Sequence, residues 1–184
     1  RFYLSVNYKA GMIEDYFGDG SDWGVDISYV HEEKRLGTAG PLSLLPERPD
    51  ETMIVMNGDL LTKLNYAHLL DFHRKHDVAA TMCVRENETQ VPYGVIETDD
   101  QYMEGIEEKP TERYFVNAGI YVLEPGALDC VPENEFFDMP DLFERLIDEG
   151  KEASVFPVRE YWQDVGQKKD YREANVEYEE VFMT

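Results

Sequence analysis

The chain has 184 residues, 42% of them hydrophobic and 12% aromatic, enough to bury one substantial core and within the size of a single domain over 1–184. Lys and Arg number 17 against 39 Asp and Glu, a formal charge of −22. That charge argues against nucleic acid and anionic membranes as partners, and requires any nucleotide to be held through a divalent cation, backbone amides and a few placed cations.

In chain order, Arg1 leads straight into the alternating stretch 2–7, with no initiator Met and no turn before it, which reads as a cut end. Apolar runs of strand length then alternate with segments of helical period. This is the pattern of a mainly parallel sheet with helices on its faces. Strands are expected near 2–7, 25–31, 53–57, 78–84, 94–98, 102–107, 114–123 and 153–158, and helices near 9–17, 39–45, 65–75, 140–149 and 168–182. Asn65 can cap the third helix, Pro140 suits the first turn of the fourth, and Gly150 follows its end. In the last helix Tyr171, Ala174, Tyr178 and Val181 form one apolar stripe. The segments 18–24 and 98–100 read as turns, and little helix separates the strands from 78 to 123, so that third should be the more antiparallel.

Cys83 and Cys130 lie far apart in apolar stretches, without a spacing that suggests a disulfide framework or a zinc site, which points to a reducing, cytoplasmic setting. The N-terminal stretch lacks the pattern of a secretion signal, and no apolar run reaches the length of a membrane span. His73 and His76 sit among Arg74, Lys75 and Asp77, which marks that helix face as solvated and discounts both as metal ligands.

Five stretches are candidates for chemistry. Glu33 to Leu42 is a glycine-bearing loop between a strand and a helix, where backbone amides can meet a flat ligand, although a Gly-Thr-Ala-Gly turn is as often a plain connection. Met53 to Asp59 reads as a strand ending in a carboxylate, where a metal could meet phosphates; by composition Asn57-Gly58-Asp59 is a turn. Glu107-Glu108-Lys109-Pro110, with Pro92-Tyr93-Gly94 upstream, and 115–121 around Asn117 offer groups for a sugar and its phosphate, each ordinary in isolation. Trp162-Gln163-Asp164-Val165-Gly166 supplies a second carboxylate, which spacing alone does not join to Asp59.

Taken together and in order, these segments resemble the nucleoside-diphosphate-sugar pyrophosphorylase family over nearly the whole chain. The resemblance implies an α/β, Rossmann-like open mixed sheet of the nucleotide-diphospho-sugar transferase fold, with helices on both faces. It implies transfer of a nucleoside monophosphate from a nucleoside triphosphate to a sugar-1-phosphate, giving an NDP-sugar and pyrophosphate. It places Gly37 and Thr38 at the base, Tyr93, Gly94, Glu108 and Asn117 at the sugar, and Lys109 at the sugar phosphate. Asp59 and Asp164 would hold Mg²⁺, and no covalent nucleophile is needed. The family opens with a strand and glycine-rich loop that this sequence lacks, so these residues alone are expected to turn over negligibly. The bared sheet edges are expected to favour a homo-oligomer. A sugar-nucleotide-binding regulatory homologue is the second reading. A glycosyltransferase of similar fold ranks last, because the strand ends in a lone Asp59 rather than an Asp-x-Asp pair. LGTAGPL at 36–42 is similar to guanylyltransferases acting on mannose-1-phosphate, over too short a stretch to fix the base or the sugar.

Overall fold

The computed structural model describes residues 1–183. Its strands are β1 (Phe2–Val6), β2 (Ile27–His31), β3 (Met53–Met56), β4 (Leu60–Thr62), β5 (Ala80–Gln90), β6 (Gly94–Asp99), β7 (Tyr102–Glu108), β8 (Thr111–Leu123), β9 (Ala153–Pro157) and β10 (Trp162–Asp164). Its helices are α1 (Ala10–Phe17), α2 (Tyr66–His76), α3 (Met139–Asp148) and α4 (Lys168–Phe182). The helix expected at 39–45 is a tighter 3-10 turn, Gly40–Leu44, with Pro41 in its first turn.

Four strands form the central sheet in the order β3-β8-β5-β9, and three two-stranded pairs, β1-β2, β4-β10 and β6-β7, surround it. Among the described residues β1 pairs with β2, and β5 with β9, in parallel, whereas β3-β8, β5-β8, β4-β10 and β6-β7 are antiparallel. The sheet is therefore open and mixed, as the family resemblance implies, rather than mainly parallel as the alternation of elements alone suggests. The reason lies in β8, which returns between β3 and β5 and runs antiparallel to both.

Period-two burial along β8 builds two cores. Tyr121 and Leu123 face α3, packing with Met139, Leu142, Phe143 and Leu146. Ala118, Ile120 and Val122 face the other way, onto Leu64, Leu69 of α2, Cys83 and Val158. Helices thus cover both faces of the sheet. Local signals set the ends of each: Asn65 Oδ1 accepts from the His68 amide at 3.1 Å, and Asp138 with Asp141 makes a reciprocal cap on α3, with Pro140 in the first turn. Gly150 follows at φ +75°, a backbone angle that suits glycine.

His73 is a second correction. It is buried rather than solvated, because it lies one turn beyond Leu69 on the face of α2 turned to the sheet. Its Nδ1 is 2.7 Å from Thr81 Oγ1, and its Nε2 is 3.0 Å from Glu124 Oε1. Thr52 also donates to that oxygen at 2.6 Å, and this donation, followed by the His73 contact, holds the Glu124 carboxyl below its ordinary value of 4.5. A depressed carboxylate contributes stability above its unfolded-state value and loses it as pH falls through the folded one. We therefore expect the melting temperature of the natural chain to fall more than that of Glu124→Gln between about pH 5 and pH 3, measured by circular dichroism. Equal falls would remove Glu124 from the acid response.

Both cysteines are free and buried, and burial pushes the Cys83 thiol up to about 12, so it stays protonated near neutrality and offers no thiolate. No helix among the described residues is long and apolar enough to cross a membrane.

Candidate functional site

Asp59 stands in the turn directly before β4, and Asp164 is the last residue of β10. The two short strands pair with Asp164 opposite Leu60, which sets the carboxylates side by side. The Val165 amide donates to the Asp59 carbonyl at 2.8 Å, closing the same corner. A Cβ built on Gly166 would lie 3.0 Å from Asp164 Oδ1 and 3.2 Å from Asp59 Oδ2, so both oxygens converge on one point beside that glycine. Both aspartates are exposed.

That geometry suits a hard divalent cation. Mg²⁺ takes oxygen ligands and is commonly held by one or two carboxylates, with water and phosphate oxygens completing its shell. Among the described residues no group of three or more His, Cys, Asp or Glu side chains gathers as a metal cage, so two aspartates and incoming oxygens are what this corner offers. The Gly166 amide donates to Asp164 Oδ1 at 2.8 Å, and a cation between the two carboxylates would relieve their mutual repulsion.

Gly37 and Thr38 form a second group. Gly37 has φ +80°, and a Cβ there would stand 2.6 Å from both the Phe137 carbonyl oxygen and Asp138 Oδ1. The loop is therefore pressed onto the start of α3. The Thr38 amide and hydroxyl both donate to Asp138 Oδ1, at 2.9 and 3.2 Å, and the hydroxyl accepts from the Met139 amide at 2.8 Å. The Ala39 and Gly40 amides both donate to the Phe137 carbonyl. Thr38 thus uses its amide and its hydroxyl to hold the loop. A hollow of about 320 Å³ opens beside it, lined by Asn7, Tyr8, Glu32, Arg35, Gly37, Thr38 and Asp138. Asp138 was missed in the sequence. Its signal was an acid three residues before Asp141 at the head of an apolar run containing Pro140.

Tyr93, Gly94, Glu108 and Lys109 make a third group on the β6-β7 hairpin. Gly94 pairs with Glu108, and the Lys109 amide donates to the Tyr93 carbonyl at 3.2 Å. A Cβ on Gly94 would come within 2.9 Å of Glu108 Oε2, so glycine lets that carboxylate lie over the strand. Lys109 has φ +51° and turns the chain into β8. No hydrogen bond or ion pair among the described residues joins this group to the aspartates. Asn117 is linked instead toward the segment before Asp59: its Oδ1 accepts from the Gly119 amide at 2.9 Å, and the Gly119 carbonyl accepts from the Asn57 amide at 2.9 Å.

An open mixed α/β sheet with helices on both faces is the architecture of the nucleotide-diphospho-sugar transferase fold. The comparisons agree. The family model described as "Nucleotidyl transferase" matches residues 2–181. Mannose-1-phosphate guanylyltransferase of Mycobacterium tuberculosis is 33% identical over 178 residues, covering 91% of this chain and 48% of its own length. UTP–glucose-1-phosphate uridylyltransferase of Synechocystis is 33% identical over 191 residues, covering 93% and 49%. The crystal structure of a putative glucose-1-phosphate thymidylyltransferase from Bacillus anthracis superimposes with a TM-score of 0.71 at 19% identity, covering 95% of this chain and 74% of that one. The chain belongs to the nucleotidyl transferase family. It spans about half the length of the curated relatives it matches.

Proposed function

We propose that this chain carries the metal, base and sugar side of a sugar-1-phosphate nucleotidyltransferase, with Asp59 and Asp164 as ligands of one Mg²⁺. The observation that carries this reading is the convergence of Asp164 Oδ1 and Asp59 Oδ2 beside Gly166. The reaction is an in-line displacement. An oxygen of the sugar-1-phosphate forms a bond to the α-phosphorus of a nucleoside triphosphate, the bond from that phosphorus to the bridging oxygen breaks, and pyrophosphate leaves with the electron pair. Bound Mg²⁺ supplies charge neutralisation at the phosphoryl oxygens.

The residues of the chain supply position. The loop at Gly37 and Thr38, held on α3 by Asp138, borders the hollow assigned to the base. Tyr93, Gly94, Glu108 and Asn117 are assigned to the sugar, and the Lys109 ammonium to its phosphate, where a compact cation offsets part of the −22 field. Transfer then rests on alignment and electrostatics, with no covalent intermediate. Relatives named for mannose-1-phosphate with guanylyl transfer and for glucose-1-phosphate with uridylyl transfer support a sugar-1-phosphate as acceptor and leave the base and sugar to experiment.

The test is pyrophosphate release by the complete gene product, assayed with GTP, UTP and dTTP against mannose-1-phosphate and glucose-1-phosphate. Release with one pair, abolished by chelator and restored by Mg²⁺, is the expected result. Release with no pair, alongside binding of a nucleotide sugar that is indifferent to Mg²⁺, would favour the regulatory reading.

A further inference from the structure

Strand β8 is interrupted where it passes the aspartates. Against β5, Tyr121 pairs with Met82 and Asn117 with Val84, so the single residue Cys83 faces Ala118, Gly119 and Ile120. The result is a bulge, with Gly119 at φ +69°. Asn117 locks it from within: Oδ1 accepts from the Gly119 amide at 2.9 Å, and Nδ2 donates to the Tyr121 hydroxyl at 2.7 Å.

Two successive carbonyls at the bulge each accept a donor from an aspartate-bearing segment, the second by carrying the β3-β8 register one residue past Met56 and Ile120. Ala118 C=O accepts from the Trp162 indole Nε1 at 2.8 Å, and Gly119 C=O accepts from the Asn57 amide at 2.9 Å. Trp162 stands two residues before Asp164, and Asn57 two before Asp59. The two arms meet again where Asp164 pairs with Leu60 and the Val165 amide reaches the Asp59 carbonyl. Contact at the first arm is close: a Cβ on Gly119 would lie 2.8 Å from Asn57 Nδ2 and 3.0 Å from Leu60 Cδ1. The ring is closed, and its fixed side is the bulge.

We propose that the β8 bulge at Ala118–Gly119 is the gauge that sets the separation of Asp59 and Asp164, with Gly119 and Trp162 as positioning residues that touch no substrate. The inference builds on the reading that the two aspartates share a cation. Groups that orient metal ligands commonly change metal affinity by about 10- to 100-fold when removed.

Two variants cut the two arms. Trp162→Phe keeps an aromatic ring and deletes the indole N–H; Gly119→Ala forces Asn57 and Leu60 outward. Each is compared with the natural chain in three measurements: the Kd for Mn²⁺ by electron paramagnetic resonance, hydrogen exchange at the Val165 amide, and exchange at the Ile120 and Val122 amides as a record of general loosening. For Trp162→Phe we expect the Mn²⁺ Kd to rise by about tenfold or more, and Val165 to exchange about tenfold faster, with Ile120 and Val122 nearly unchanged. Unchanged Val165 exchange in the variants overturns the proposal, as does acceleration shared equally by Ile120 and Val122, which marks a merely structural role. Should the natural chain bind no Mn²⁺, the shared-cation reading fails, and the Val165 exchange still decides whether the bulge sets the corner. Should Gly119→Ala not fold, Trp162→Phe carries the test alone.

Discussion

Replacing Asp59 or Asp164 by Asn in the complete gene product should lower nucleotidyl transfer by about 10²- to 10³-fold, the range seen when one preorganised electrostatic group is removed from a transition state. The change keeps shape and one oxygen while deleting a charge. General electrostatics predicts the opposite direction. In a chain at −22, losing an acid weakens the field that repels a triphosphate, so tighter nucleotide binding and undiminished turnover would follow if the aspartates acted only as background charge. Stability separates the two effects further. Both side chains are exposed, so each Asn variant should unfold within about 0.5 kcal/mol of the natural chain. A large loss of transfer without a loss of fold, read from pyrophosphate release and a melting curve on the same sample, is the expected pattern.

Gly37→Ala should be the most damaging single methyl group in the loop. Backbone at φ +80° strains any residue with a Cβ, at about 1–3 kcal/mol. The added carbon would also meet the Phe137 carbonyl at 2.6 Å, and a backbone atom cannot swing aside as a side-chain tip can. To relieve that clash the loop must lift from α3, which endangers the bonds from Thr38 to Asp138 and from Ala39 and Gly40 to Phe137. With one or two of these bonds lost at about 1 kcal/mol each on top of the strain, the cost is about 3 kcal/mol. For a chain of this length that is a fall of roughly 6–12 °C in the melting temperature. Nucleotide affinity should fall with it, because the hollow beside the loop loses its wall. Thr38→Ser, which retains the hydroxyl, should leave both nearly unchanged.

Much of this architecture was legible in the residues. Where burial is one-sided and a helix carries its own punctuation, as at Asn65 for α2 or Pro140 and Gly150 around α3, sequence and structure coincide. What escaped has physical reasons. β4 and β10 are three residues each, too short to display a period, and what makes them strands is each other. β5 and β8 run beyond the expected 78–84 and 114–123 because their outer halves are exposed and polar, and so lack apolar alternation. Arg113 bridges to Glu86 at 3.8 Å and to Glu88 at 2.8 Å across that extension. His73 was misjudged because its charged neighbours describe the opposite side of the helix.

The candidate residues show the same division. Asp59 and Asp164 are read one motif at a time, and spacing could not join them, since what brings both beside Gly166 is the pairing of two short strands. Thr38 also bonds to Asp138 and Met139 through its hydroxyl and amide, a role visible only once α3 is placed. Glycines carried more than turn propensity. Gly119 is a position where another segment passes too close for a side chain, and a Cβ at Gly166 would sit tightly against two aspartate oxygens; nothing local announces either.

The most direct test of the shared cation is Mn²⁺ titration of the natural chain, Asp59→Asn, Asp164→Asn and the double variant, followed by electron paramagnetic resonance. If one ion bridges the two carboxylates, the natural chain binds one tight equivalent, either single change removes most of the affinity, and the double variant loses little more. Two single losses that simply add, or a natural affinity that survives either substitution, would place the aspartates in separate environments and contradict the account.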